Sequence, residues 1–333
     1  MNDVAPQHKW FAIVNPVAGG GRGLDNFPQI SKLLRDNGIL YDPVFTEHKC
    51  HATELTVEAV TAGYRRIIVI GGDGTLHEVV NGLFIQKCVQ PDEISLAVIA
   101  VGTGNDWIRM FGIPENFGEA IRAIREEHTF LQDVGCVTYE EAHFSQTRYM
   151  ANVAGIGLDA NVIERYNHWR NKGRRGPLLY VRCLLRSFMR YRSTGVKVWV
   201  DDRLIYDNLL LSAAFGVCQY NGGGIRQLPK AVADDGLLDV TLIRPLHWWQ
   251  VIFRLRKLFN GNIYSIGHVR HAQGREVRIE SIPPVRLEVD GEMLGGSPVR
   301  FSVLHRAVRV VVSRKFTQAQ PVSLRAAHNA LEP

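Results

Sequence analysis

Short apolar runs open the chain, and each breaks into glycine and then into helical spacing. Trp10-Phe11-Ala12-Ile13-Val14 reads as a buried strand, followed by the glycine-rich loop from Asn15 to Gly23. Phe27, Ile30, Leu33 and Leu34 then mark one face of a helix, which Asn37-Gly38 closes. A second strand runs from Tyr41 to Thr46, and Leu55, Ala59 and Val60 mark the helix after it. Ile67-Ile68-Val69-Ile70 is a β-branched strand that breaks into Gly71-Gly72-Asp73-Gly74-Thr75. Leu76, Val79, Val80 and Leu83 return to helical spacing. A fourth strand, Ile94 to Val101, runs into Gly102-Thr103-Gly104-Asn105-Asp106. Four β-loop-α units predict a doubly wound α/β domain with mostly parallel strands, closed by a helix through Ala120, Ile121 and Ile124.

Leu131-Gln132-Asp133-Val134-Gly135 reads as the crossing into a second region of different texture. Strand-like segments follow one another there: 148–154, 196–200, 209–217, 238–243, 276–280, 285–289, 299–303 and 306–312. Many short strands with few helices predict a mainly antiparallel β-sandwich. The expected division is an α/β domain over residues 1–135 and a β-rich domain over 136–313, with the tail 314–333 packing back on the first.

Composition changes this picture little. With 46% hydrophobic and 22% charged residues the chain is an ordinary globular one. A net charge of +6 and a pI near 9.1 suit an anionic partner without choosing one. The five cysteines form no CxxC pair and read as buried thiols of a reducing compartment. No stretch has the apolar length of a membrane span, and no signal-peptide pattern opens the chain. The expected location is cytoplasmic.

The chemistry sits at strand ends. A glycine turn between strand and helix brings backbone N–H groups and a helix N-terminus against a phosphate. Asp73 reaches such a phosphate only through a cation, and Thr75 adds a hydroxyl donor. Asn105 and Asp106 are placed to cap the helix that follows them. Asp159, in Gly155-Ile156-Gly157-Leu158-Asp159-Ala160, has the same capping reading. Asp290 and Glu292 end a strand-like run; at i and i+2 of a strand they share a face. Unaided, Asp235-Gly236 reads as a hairpin turn.

The ordered set Asn15-Pro16-x-x-Gly19, Gly71-Gly72-Asp73-Gly74-Thr75, Gly102-Thr103-x-Asn105-Asp106, Asp235-Gly236-x-Leu238-Asp239 and Asp290-Gly291-Glu292 resembles the diacylglycerol kinase catalytic-domain family of bacterial lipid kinases. The resemblance covers nearly the whole chain. It implies phosphoryl transfer from ATP with Mg²⁺ to a lipid alcohol such as diacylglycerol or a sphingoid base. It implies nucleotide contacts at Asn15, Pro16, Val17, Ala18, Gly19, Thr46, Gly71, Gly72, Asp73, Gly74, Thr75, Glu78, Thr103, Asn105 and Asp106. It assigns a catalytic carboxylate to Asp290 or Glu292 alongside Asp73. It also implies a structural Mg²⁺ held by Asp235 and the carbonyls of Val232 and Leu237.

An NAD kinase shares the central turn, but that reading leaves Asn15-Pro16 and the Asp234 to Asp239 loop unexplained. A non-catalytic nucleotide or lipid sensor on the same scaffold is the other alternative. Partners follow from the lipid reading: an anionic membrane surface met peripherally, no nucleic acid, and a homodimer left open. Two amphipathic segments are candidates for that surface. One carries Arg182, Arg186 and Arg190; the other runs from Trp248 to Phe259.

Overall fold

A computed structural model describes residues 5–314 and 316, apart from residues 103, 143, 175–176, 248–249, 251–255 and 315. Four parallel strands form its N-terminal half: Trp10–Val14, Tyr41–Phe45, Arg66–Gly71 and Ser95–Ala100. Trp10–Val14 lies between Tyr41–Phe45 and Arg66–Gly71, and Ser95–Ala100 pairs outside the latter. The chain therefore leaves Trp10–Val14 first to one side and later to the other. A crevice opens at the C-terminal ends of strands wherever the order reverses in this way.

Strand alternation explains the two covered faces. Trp10, Ala12 and Val14 pack with Ile30 and Leu34 of helix Arg22–Asp36 and with Ile121 and Ile124 of helix Phe117–Glu126. Phe11 and Ile13 face the other way, toward Leu55 of helix His51–Thr61 and Val79 and Leu83 of helix Asp73–Ile85. Those two helices touch closely at Gly82, where a Cβ would lie 2.6 Å from that of Thr56.

Among the described residues the C-terminal half is built of antiparallel strands, with helices Leu158–Asn171 and Pro177–Phe188 packed on them. It is joined to the first half edge to edge. Glu292–Val311 is a single strand whose far end pairs in parallel with Ser95–Ala100, through Arg309↔Ser95 and Val310↔Leu96. It also pairs along its length with Thr129–Glu141. The architecture is thus a parallel α/β core followed by a β-sandwich-like region, as the pattern predicts.

Several boundaries differ from the sequence reading. The segment read as a crossing at 131–135 lies inside the strand Thr129–Glu141. The runs 299–303 and 306–312 belong to one strand, because a register shift between Leu304 and Val308 absorbs His305-Arg306-Ala307, with Arg306 at φ 50°. Residues 209–217 break between Arg203–Leu210 and Ser212–Gly216. The cysteines also depart from expectation: Cys183 and Cys218 are buried, but Cys50 and Cys88 are exposed. Among the described residues no helix is long and apolar enough to cross a membrane. Phe316 packs on Phe111 and Phe130 of the first half. Residues 317–333, most of the tail expected to fold back, lie outside the described residues.

Candidate active site

The crevice is lined by the glycine loops, and side chains tie these loops to one another. Asn15 follows the first strand and donates through Nδ2 to Thr75 Oγ1 at 2.9 Å; its Oδ1 accepts from Val17 N at 3.1 Å. Pro16, Val17 and Ala18 complete the turn, with Val17 exposed. Gly19 has φ 58°, and a Cβ there would lie 2.2 Å from the Val101 carbonyl oxygen, so only glycine fits. Arg22 closes this loop on the next by donating to the carbonyls of Gly19 (3.1 Å) and Gly102 (3.0 Å). The sequence reading did not single out Arg22; it lies near the end of the glycine-rich loop and looks like a surface residue. Thr46 stands at the neighbouring strand end, its N–H donating to Val14 O.

Gly71 and Gly72 lead into helix Asp73–Ile85. Asp73 does not point freely into the crevice. Its Oδ2 accepts from Asp106 N and its Oδ1 from Trp107 N, both at 3.2 Å, so it caps the short helix Asp106–Met110 from outside. This corrects the capping expectation: Asn105 takes φ 51° and gives no side-chain cap. Asp106 reaches instead across to the second half, accepting from Gly223 N at 2.7 Å and Gly224 N at 2.6 Å. Burial and the Asp106 charge push Asp73 up to about 6, and burial also raises Asp106. Asn105 Oδ1 is buried with no partner among the described residues. A buried acceptor without a donor beside paired carboxylates suits a bound cation or a ligand N–H. Thr103 lies outside the described residues.

Glu78, one turn along the same helix, accepts from Cys50 N (3.0 Å) and Ala52 N (3.1 Å). Its carboxylate caps helix His51–Thr61, a contact between helices that the sequence does not reveal.

Asp290 and Glu292 occupy different surroundings. Val289 pairs directly with Glu292, leaving Asp290-Gly291 as a two-residue hairpin turn with φ 50° and 86°. The strand does not continue, and the shared-face expectation fails for that reason. Asp290 Oδ1 accepts from the N–H groups of Asn152 (3.0 Å) and Val153 (3.1 Å), and Oδ2 from Ala151 N (2.8 Å). His77 Nδ1 lies 2.9 Å from the same Oδ2. Glu292 pairs with Lys49 at 3.4 Å.

Two more carboxyls lie behind the crevice. Asp159 is not a cap; its Oδ2 accepts from Gln227 Nε2 at 2.5 Å, and burial pushes it up to about 6. Glu288 accepts from Gly291 N at 3.0 Å and is raised well above the usual range, first by burial and then by Asp159. Glu288 lies two residues before Asp290; the sequence reading passed over it as a strand residue. Tyr180 stands within the field of Asp159, Glu288 and Asp106, and burial holds its hydroxyl protonated. Asp159, Ser212 and Gln227 form the polar part of a narrow cavity of about 70 Å³, otherwise walled by residues such as Leu158, Leu184, Phe188 and Ile243.

At the expected Mg²⁺ loop, Asp235 accepts from Leu237 N at 3.0 Å. Burial, then the charges of Asp133, Asp239 and Asp234, push it up to about 6. Crowded carboxylates with backbone carbonyls of Val232 and Leu237 on the same loop are the donor chemistry a hard cation takes. Asp133, missed as a site residue, fixes this loop by accepting from Gly236 N at 2.7 Å, and is itself held by His305. A different group, His48, His51 and Glu54, has metal-ligand spacing. It is a poorer donor set, because His51 Nδ1 accepts from Glu47 N and leaves the proton on Nε2.

Each half of the chain resembles a known domain. Residues 9–137 match the diacylglycerol kinase catalytic domain, and residues 152–312 match the YegS C-terminal NAD kinase beta sandwich-like domain. A diacylglycerol kinase of Staphylococcus haemolyticus is 25% identical, covering 93% of this chain and 91% of its own. One from Mycobacterium tuberculosis is 26% identical, covering 91% and 94%. The fold is that of a diacylglycerol kinase crystal structure from Bacillus anthracis, with a TM-score of 0.70 at 24% identity over 93% of this chain and 98% of that one. Over residues 9–137 the chain belongs to the diacylglycerol kinase catalytic-domain family, and residues 152–312 carry the sandwich-like domain.

Proposed function

We propose that the protein transfers the γ-phosphoryl group of ATP to the hydroxyl of a lipid alcohol. The observation that carries this reading is the apolar cavity lying behind the acid cluster. Its walls are hydrocarbon, and its polar part is Asp159, Ser212 and Gln227 beside Tyr180. That combination suits an alkyl chain ending in a hydroxyl. It does not suit NAD, which is polar throughout. At about 70 Å³ the cavity holds only a few methylenes, so a longer chain requires its walls to part.

The loops around Asn15, Gly19, Gly71–Gly74 and Asn105 receive the nucleotide, with Thr46 and Thr75 as hydroxyl contacts. Mg²⁺, when bound with ATP, would neutralise phosphate charge, and Asp106 with Asn105 Oδ1 would hold it. Asp73 takes the acceptor proton. It has the carboxylates of Asp106 and Asp290 as neighbours, and a value near 6 suits a base at neutral pH. The resemblance gives that role to Asp290 or Glu292. We favour Asp73, because each Asp290 oxygen already has two partners and Glu292 pairs with Lys49, whereas each Asp73 oxygen accepts a single N–H. Asp235 with the carbonyls of Val232 and Leu237 would hold a second, structural Mg²⁺. The α/β and β-rich halves act as two domains meeting at this crevice, and the β-rich half faces the membrane peripherally.

The test is direct. The protein is incubated with γ-labelled ATP, Mg²⁺ and either a mixed lipid extract or NAD. Label in an organic-extractable product supports the reading. Label in NADP overturns it in favour of an NAD kinase, and absence of any labelled product favours a sensor.

A further inference from the structure

The outer side of helix Pro177–Phe188 carries a second concavity, separate from the apolar one. Its floor is helix Leu158–Asn171, and its volume is about 570 Å³. Four arginines line it: Arg165, Arg174, Arg182 and Arg186. The one carboxylate in the lining, Glu164, is already paired with Arg286. Arg165 spends Nε on Ser187 Oγ at 3.1 Å, and Arg174 lies over the Trp169 ring at 4.4 Å. Among the described residues no carboxylate lies within 4.0 Å of Arg182 or Arg186, both exposed. Four guanidinium groups facing one cavity repel one another until an anion enters, and their forked donors match phosphate oxygens.

We propose that this pocket binds the phosphate of an anionic phospholipid headgroup, apart from the acceptor site and independently of ATP. The membrane is favoured as the source by what surrounds the arginines. Leu178 and Met189, 82% and 73% exposed, bracket them at the two ends of the helix. Apolar side chains flanking basic ones on one exposed helix face are suited to an interface. The opposite face of the same helix, through Tyr180, Leu184 and Phe188, walls the apolar cavity. A headgroup held outside the helix would therefore bring lipid chains to one wall of the apolar cavity.

The experiment measures flotation with phosphatidylcholine vesicles containing phosphatidic acid, at physiological salt and without nucleotide, so its outcome does not depend on the kinase reading. Each arginine near an anionic leaflet is worth about 1 kcal/mol, so Arg182→Gln with Arg186→Gln should weaken binding about thirtyfold. Arg122→Gln with Arg125→Gln, exposed on helix Phe117–Glu126, removes the same charge and should change binding less than about twofold. Arg182→Lys with Arg186→Lys keeps the charge and should still lose several-fold, because lysine lacks the fork. Millimolar inorganic phosphate should leave the parent bound. Equal losses in the pocket and control pairs, full binding by the Gln or Lys pair, or release by phosphate would each overturn the proposal. Circular dichroism confirms that each variant is folded. If the Gln pair does not fold, the Lys pair and the phosphate competition decide.

Discussion

His77 Nδ1 lies 2.9 Å from Asp290 Oδ2, joining residues 213 positions apart. Both side chains are almost completely buried. His77 comes from the helix that follows the central glycine turn, and Asp290 from the hairpin turn of the second half. Four positions along that helix, Asn81 donates to Tyr149 O and accepts from Tyr149 N, both at 3.0 Å. The helix carrying the crevice thus fixes the relative position of the two halves.

Replacing His77 by Ala should destabilise the protein by about 2 kcal/mol, since it strips one partner from a buried carboxylate that keeps three backbone donors. Urea unfolding of parent and variant measures this. An unchanged midpoint would mean that the contact contributes nothing.

Asp73→Asn should abolish phosphoryl transfer while the fold persists. The amide keeps one oxygen for the N–H of Asp106 or Trp107, gives up the other of these two bonds, and cannot take a proton from the acceptor. Turnover and melting temperature are to be measured on the same preparation. Wild-type turnover in the folded variant would remove Asp73 from the chemistry.

Asp159 provides a pH test. Its value is raised from 3.8 to about 6 by burial, so the folded state binds the proton more tightly than the unfolded state does. Its contribution to stability is complete below about 4 and is lost as pH rises through about 6. Asp159→Asn should remove that loss. The melting temperature of the variant, relative to the parent, should therefore rise between pH 4 and pH 7; parallel curves would contradict the burial argument.

Chelation tests the loop at Asp235. A cation bound only to the native protein stabilises it, so EDTA should lower the melting temperature of the parent. Asp235→Ala, which removes the side-chain ligand, should respond little. An equal shift in both proteins would place the cation elsewhere.

Gly82→Ala should cost about 1–3 kcal/mol by overpacking, because the new methyl meets Thr56 Cβ at 2.6 Å and Thr53 O at 2.7 Å. Chemical denaturation reads this directly, and a neutral substitution would show that the two helices can part without loss.

What the sequence determined by itself was local. Apolar runs of strand length ending in glycine fixed the parallel core and put Asn15, Gly71 to Thr75 and Asn105-Asp106 at strand ends, because period and turn chemistry act over a few residues. The order of the motifs was enough to point to the family. Partnerships across the fold were decided only in three dimensions. Asp73 caps a helix that begins at Asp106, Glu78 caps one that begins at His51, and Asp106 is held by Gly223 and Gly224. A backbone N–H left open at a helix end takes whichever acceptor the packing delivers, and sequence distance does not limit that choice. The same holds for Glu288, Asp159 and Tyr180, whose character comes from burial by distant strands. The long strand Glu292–Val311 reads as separate pieces because the polar pair His305-Arg306 falls at a register shift, which only pairing with Thr129–Glu141 makes visible.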